Sequence, residues 1–351
     1  MEKQIGVVGG YNPVAGEWYD AVEYPHPAVY HEFVKEDTFS ELYPDLTQAS
    51  DPEKIEELIN NTKPGKTTLI KLTEDLLDVD TIQIPLGSTV KLDLNGHKIV
   101  AKLRTEDRHF YAIDNYGTMI ICGKGSIEAR GIENFGKMEI KDSVEIIALD
   151  GNGGAAIWNE GDLTINGGTF RTVIAGSTSD PYGAGCLNNS GDCVINAGTF
   201  LGASRRTYAI ISSNKIVVNN ANVKGAHGGL AVEDGVCTVK NGTFVSTEYY
   251  GLYVSNDADD ASDEDEADIL ILGGTFEGKT YSVWIGSDVK SPVNSVIRIK
   301  GGDFVNPMRM QKNVAPDAGI VEYPEDKYQL VENADGSRTL VKKVMEDNDN
   351  A

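Results

Sequence analysis

Apolar and polar residues in this chain alternate in one short phrase that keeps returning. LTINGGTF (163–170) comes back as CVINAGTF (193–200), CTVKNGTF (237–244), ILILGGTF (269–276) and IRIKGGDF (297–304). Weaker copies end at Ile99, Ile127 and Val223. With each copy anchored on its last apolar residue, the position seven back is Leu92, Ile120, Leu163, Cys193, Ile216, Cys237, Ile269 or Ile297. The position five back is Leu94, Cys122, Ile165, Ile195, Val218, Val239, Ile271 or Ile299. All of these are apolar, and the residue between each pair is mixed: Asp93, Ile121, Thr164, Val194, Val217, Thr238, Leu270 and Arg298. In-out-in alternation predicts a short strand with one buried face. Small or turn-prone residues such as Asn166-Gly167-Gly168 follow and predict a sharp corner. A second strand is predicted upstream, in AAIWNEG, GCLNNSG and GLAVEDG, and another weak copy at NFGKMEIKDSV puts Met138 and Ile140 inside.

The copies recur about every 26 residues, within the range of solenoid repeats. No helical pattern separates the strands, which excludes a βαβ sheet. The prediction is an all-β, single-stranded parallel β-helix of about nine coils, each stacked ~4.8 Å above the last, so that Phe lies on Phe and Ile on Ile.

A solenoid needs covered ends. SDPEKIEELINN predicts a short capping helix at 51–60, with Pro52 in its first turn and Ile55, Leu58 and Ile59 on one apolar face. KYQLVENADGSRTLVKK predicts a hairpin around Asp335-Gly336 inside a C-terminal cap, 306–344, and 345–351 is an acidic tail. The β-helix proper is placed at 51–305. Residues 1–50 fall outside the repeat and are rich in aromatics: Tyr11, Trp18, Tyr19, Tyr24, Tyr30 and Phe33. Two readings stand for this arm. It wraps its own β-helix, or its aromatics dock on a partner protein, since such residues favour interface cores.

Charge narrows the partners. A formal charge of −23 repels phosphate backbones and anionic lipid, so nucleic acid and membrane surfaces are excluded as partners. No apolar run is long enough to span a bilayer. MEKQIGVVGG has neither the basic start nor the apolar core of a secretory signal, so export by the usual route is not expected. Cys122, Cys186, Cys193 and Cys237 form no C-x-x-C pair, and Cys193 and Cys237 sit two coils apart, beyond disulfide reach. Cys193 and Cys237 are expected to be apolar fillers, and no metal and no cofactor is expected.

Three features invite chemistry. The insertion NDADDASDEDEAD (256–268) offers Asp257, Asp259, Asp260, Asp263 and Asp265 as calcium ligands, but lacks the glycine and closing glutamate of an EF-hand, so a solvated acidic loop is the expectation. SDVKSPVN extends the same corner one coil later. NNTKPGKTT (60–68) ends like a phosphate loop but has Asn60 where the first glycine belongs, and its helix-then-strand context is reversed. Glycoside hydrolysis needs two carboxylates ~5–10 Å apart. The aligned outward position carries charge only at Asp93 and Arg298, and Thr169, Thr199, Thr243 and Thr275 make a threonine row. This face is therefore not catalytic. Ile121, Val194, Val217 and Leu270 form an outward apolar stripe, the candidate face for a second protomer.

GKTTLIKLTEDLL followed by IPLGSTVKLDLNGHKIVA resembles the first coils of pectin-lyase-like β-helix proteins, and the GGTF coils extend the resemblance over roughly 52–305. The resemblance implies a right-handed β-helix. It does not fix function, because lyases, hydrolases, adhesins and phage spikes share the fold. The lone His227 in AHGGL is only faintly similar to the polygalacturonase histidine motif, and no catalytic residue of those enzymes carries over. The expectation is a non-enzymatic bacteriophage virion protein: a head fibre, capsid decoration or spike. Its arm would anchor to capsid or connector proteins, its assembly would be a homotrimer, and its exposed corners would touch host glycans. The alternatives are a polysaccharide lyase or glycoside hydrolase, and a bacterial surface adhesin at the cell surface.

Overall fold

The computed structural model describes residues 11–12, 17–18, 47–49, 52–61, 66–102, 104–105, 108–109, 111–141, 143–149, 155–173, 185–255, 266–286 and 292–343. It is a parallel β-helix. Three sheets run its length: sheet one with twelve strands, sheet two with twelve and sheet three with ten. The chain visits them in that order on every coil, as in Ala155–Asn159, Asp162–Ile165 and Thr169–Thr172. Nine such triples are complete among the described residues, starting at Ile82, Ile113, Ile132, Ala155, Gly185, Tyr208, Gly228, Tyr250 and Tyr281. The three inner faces meet in one dry core. Like residues stack as the repeat predicts. Phe170 lies on Phe200 at 4.8 Å, Phe244 on Phe276 at 4.9 Å and Phe276 on Phe304 at 5.2 Å, with Val223 interrupting the column.

Two early coils correct the predicted register. Leu92 pairs with Ile121 and, through Ile140, aligns with Ile165 rather than Leu163. The inner residues there are Val90 and Leu92, then Met119 and Ile121, while Ile120 and Cys122 face outward and are half-buried. The cause is corner length. Between the last inner strand residue and the stacked anchor lie residues 93–98 in the first coil and 122–126 in the second, but only 166–169 in the GGTF coil. Counting back from the anchor therefore slides these strands. The longer corners turn through left-handed residues: Asn95 at φ 48°, Gly96 at 87° and Gly123 at 77°. Leu94 stays buried, beyond the strand in the corner.

Both ends are closed. The helix Pro52–Asn60 buries Ile55 and Ile59 in the core, and Leu58 packs against it. Thr47–Ala49 pairs in parallel with Thr67–Leu72, so the last residues of the N-terminal segment add a strand to sheet two. At the far end Met308–Met310 pairs antiparallel with Arg338–Lys342, which pairs with Tyr328–Glu332. That hairpin seats Leu340 in the core and Tyr328 edge-on to Phe304 at 6.0 Å. Gly336, at φ 82°, makes the turn, and Asp335 Oδ1 accepts from the Ser337 amide at 3.0 Å.

A buried polar ladder fixes the corner between sheets one and two. Asn115 Nδ2 donates to Asn134 Oδ1, Asn134 to Asn159 and Asn159 to Asn189, each at 2.7 Å; Asn189 donates to Ser212 Oγ at 3.0 Å. All five residues are fully buried. Each asparagine also caps a carbonyl of the next coil, such as Asp162 O at 3.1 Å. Two residues on, a glycine column lets successive coils touch: a Cβ on Gly161 would stand 2.1 Å from Gly136 O. The signal was present as Asn-x-Gly turns, at Asn115-Tyr116-Gly117, Asn134-Phe135-Gly136, Asn159-Glu160-Gly161 and Asn189-Ser190-Gly191.

Candidate functional site

Function on a filled solenoid has to sit on its outer faces. The outward row of sheet two is Lys91, Ile120, Glu139, Thr164, Val194, Val217, Thr238, Leu270 and Arg298. Ile121 therefore leaves the candidate oligomer face, because its side chain is in the core, and Ile120 takes its place. Val194, Val217 and Leu270 do point outward and are half-buried. Charges on this row are Lys91, Glu139 and Arg298. Asp93 lies two residues past Lys91, where its Oδ1 accepts from the Asn95 amide at 2.9 Å. Thr169, Thr199, Thr243 and Thr275 form the expected row on sheet three, with Asn222 between them.

Sheet one carries the chemistry that the repeat alignment missed. Its outward row runs Gln83, Asp114, Glu133, Trp158, Asn188, Ile211, Ala231, Tyr253, Trp284 and Arg309. Asp114 and Glu133 are cross-strand partners on adjacent coils. Burial pushes the Glu133 carboxyl up to about 7, and the Asp114 charge and their hydrogen bond push the same way. Asp114 is also raised by burial, although hydrogen bonds from Glu133 and Gln83 oppose the rise. Of the two, Glu133 is the one pushed further toward its protonated form. Arg130, 5.2 Å over the Tyr111 ring, adds a positive charge beside the pair, and Trp158 Nε1 donates to Glu160 at 3.0 Å. The sequence signal was IDN and IEN: the same outward position, acidic twice in a row.

Further along the same face is an aromatic ladder. Tyr208 stacks on Tyr253 at 4.9 Å, and Tyr253 on Trp284 at 5.0 Å and 3°. Tyr250 lies 5.4 Å from Trp284. Gly228 makes room for it, since a Cβ there would stand 2.1 Å from the Tyr208 ring. The rings cover one another's faces and Trp284 is buried, so the ladder contributes mainly to cross-strand stability. At its edge His227 sits between Tyr208 and Tyr249, with ring centroids 5.0 and 4.7 Å away, and its Nδ1 lies 2.8 Å from Arg205 O. Burial lowers its pKa, which favours the neutral ring. It is a packed corner residue.

Two grooves flank sheet three. One, about 330 Å³, includes Asp75, His97, Lys98, Lys124 and Glu145. The other, about 310 Å³, lies at the corner where sheet three turns into sheet one. Cys193 and Cys237 are buried thiols, as the filler reading expects, and Cys186 is buried too; burial raises the pKa of all three. Among the described residues no group of three His, Cys, Asp or Glu could hold a metal ion, and no helix is long and apolar enough to cross a membrane. Asp257, Asp259, Asp260, Asp263 and Asp265 lie outside the described residues. The strands on either side of them show that this insertion and 287–291 both join sheet one to sheet two, one coil apart. Tyr19, Tyr24, Tyr30 and Phe33 also lie outside the described residues. Tyr11 and Trp18 fall in a small antiparallel pair, Tyr11–Asn12 with Glu17–Trp18. Comparison with protein-family models, curated proteins and solved structures finds no match to this chain.

Proposed function

We propose that this chain is a structural, non-enzymatic component of a bacteriophage virion: a head fibre, capsid decoration or spike of the pectin-lyase-like kind. Residues 1–50 anchor it to capsid or connector proteins, and its corners contact host glycans. The observation that carries this reading is a filled stack of nine coils closed by a helix at one end and a hairpin at the other. Such a body resists bending and does not polymerise end to end, which suits a projecting or decorating element. Three copies associate along the outward row of sheet two, where Val194, Val217 and Leu270 leave apolar surface. Light scattering on the full chain and on a version starting at Ser50 tests this. A trimer in both, with residues 1–49 protease-sensitive, is the expected outcome; a monomer with a protected arm overturns it.

A second reading, polysaccharide cleavage, is favoured by one observation, the cross-strand carboxyl pair Asp114 and Glu133, both raised by burial. Against it, the two carboxyls are hydrogen-bonded to each other, while a scissile glycosidic bond needs ~5–10 Å between them. A cleavage screen with wild type and Glu133→Gln decides: turnover abolished by the substitution establishes the enzyme, and no turnover from wild type removes it.

A further inference from the structure

Three Asn-Gly pairs lie among the described residues: Asn95-Gly96, Asn166-Gly167 and Asn241-Gly242. A fourth, Asn152-Gly153, lies outside them. The pair is reactive because glycine puts no side chain in the way of its own backbone nitrogen. That nitrogen attacks Cγ of the preceding asparagine once the two atoms come within ~3–3.5 Å in line. Bonds that tie down either group have to break first, so the fold decides which pair reacts.

Asn95 and Asn166 are both tied. Asn95 Nδ2 donates to Leu72 O at 2.9 Å, and the Gly96 amide, the nucleophile of that pair, donates to Lys124 O at 2.5 Å. Asn166 belongs to a second asparagine ladder, on the outside of the corner between sheets two and three. Its Nδ2 donates to Glu139 Oε1 and its Oδ1 accepts from Asn196 Nδ2, both at 2.7 Å; Asn219 Nδ2 donates to Asn196 Oδ1 at 2.6 Å. All three asparagines directly follow the stacked strand residues Ile165, Ile195 and Val218. In the next coil that place, after Val239, is held by Lys240, and the ladder ends.

The asparagine of that coil stands one residue further on, at Asn241, where neighbouring coils have Ala197, Asn220 and Gly273. Out of line with the ladder, its exposed side chain makes no hydrogen bond among the described residues, and neither does the Gly242 amide. Gly242 is itself required by the corner: its φ is 131°, and a Cβ there would stand 2.5 Å from Ala221 O. The stack therefore fixes the glycine and leaves the asparagine before it untied.

We propose that Asn241 is a site of spontaneous deamidation through a succinimide closed by the Gly242 nitrogen. Hydroxide takes the Gly242 amide proton as the nitrogen bonds to Asn241 Cγ. The Cγ–Nδ2 bond breaks, and the amide leaves as ammonia with a proton from water, which restores the hydroxide. Water then adds to either ring carbonyl and breaks its bond to nitrogen, leaving aspartate or isoaspartate at position 241. Nothing is oxidised or reduced. Either product adds one negative charge to a chain already at −23. Isoaspartate also lengthens the backbone by one carbon between two corner bonds, Lys240 N to Val218 O and Thr243 N to Ala221 O, each 2.8 Å.

The test incubates the full chain at mildly alkaline pH, folded and in urea, and follows each Asn-Gly pair by peptide mapping in the mass spectrometer. Chromatography separates isoaspartate from aspartate. The expected result in the folded chain is conversion at Asn241 about tenfold or more faster than at Asn95 or Asn166, with the three rates converging in urea. Asn95 or Asn166 converting as fast as Asn241 in the folded chain overturns the inference. So does an Asn241 that stays intact in the folded chain while the urea sample converts. A lead of Asn241 that persists undiminished in urea overturns it as well, since local sequence and not the ladder would then set the order.

Discussion

Replacing Asn159 by leucine, nearly the same size, removes the middle rung of the buried ladder. Two side-chain hydrogen bonds of 2.7 Å disappear, the one from Asn134 and the one to Asn189, along with the weaker ones that Asn159 Nδ2 donates to Gly161 O and Asp192 O. Each contributes about 0.5–1.5 kcal/mol net. Asn189 Oδ1 then stays fully buried without that donor, which costs a further ~1–3 kcal/mol. The Asn134 amide is partly compensated, because it still reaches Asp162 O at 3.1 Å. The added apolar burial of leucine returns part of the loss, so the net destabilisation is about 3 kcal/mol, some hundredfold in the folding equilibrium. Urea unfolding followed by circular dichroism reads this, with hydrogen exchange on the strands Ile132–Asn134 and Gly185–Asn189 to locate the loosening. A double-mutant cycle with Asn189→Leu sharpens the test. If the ladder acts as a network, the pair costs less than the sum of the singles, because the second substitution removes the orphan created by the first. A single-site effect below about 1 kcal/mol, or strict additivity, would refute the reasoning. The upper coils make that outcome conceivable, since the same column there is Val232 and Val254.

Phe244→Ala opens a cavity between Val223 and Phe276 and should cost about 3–5 kcal/mol, read as a lower unfolding midpoint; a loss near zero would mean the column collapses freely. Glu133 has a folded pKa of about 7, above its ordinary value of 4.5, so the folded chain holds that proton more tightly than the unfolded one. Its stabilising contribution is present below pH 4.5 and is lost as pH rises through 7; Glu133→Gln should flatten this slope in denaturation series across that window, and an unchanged slope refutes the assignment. Cys186, Cys193 and Cys237 should resist a thiol reagent at pH 8 until the chain unfolds, and rapid native labelling at any of them would contradict their burial. Deleting the hairpin from Tyr328 onward bares the last coil, and light scattering should then report end-to-end association; a version that stays unassociated would show that the hairpin is not what blocks the end.

The sequence alone determined the fold class, the inner Phe column, the two end caps and the corner that takes the long insertions. These depend on periodicity and turn chemistry, which are local properties carried by each copy of the repeat. It did not determine register where corners vary in length. Ile121 and Ile120 exchange faces because one extra corner residue flips every side chain of a strand, and only hydrogen-bonded pairing with Leu92 and Ile140 reveals which one is inside. The Asn-x-Gly turns were visible as turns, but their asparagines bond to one another across 19 to 30 residues of chain, a relation that exists only once the coils stack. Asp114 and Glu133 are likewise ordinary acids along the chain. Stacking makes them cross-strand neighbours, partly withdraws them from water and so raises the Glu133 pKa. The groove at the corner between sheets three and one has no sequence signature at all, because its floor is the space left where Gly225 must be small for the chain to turn.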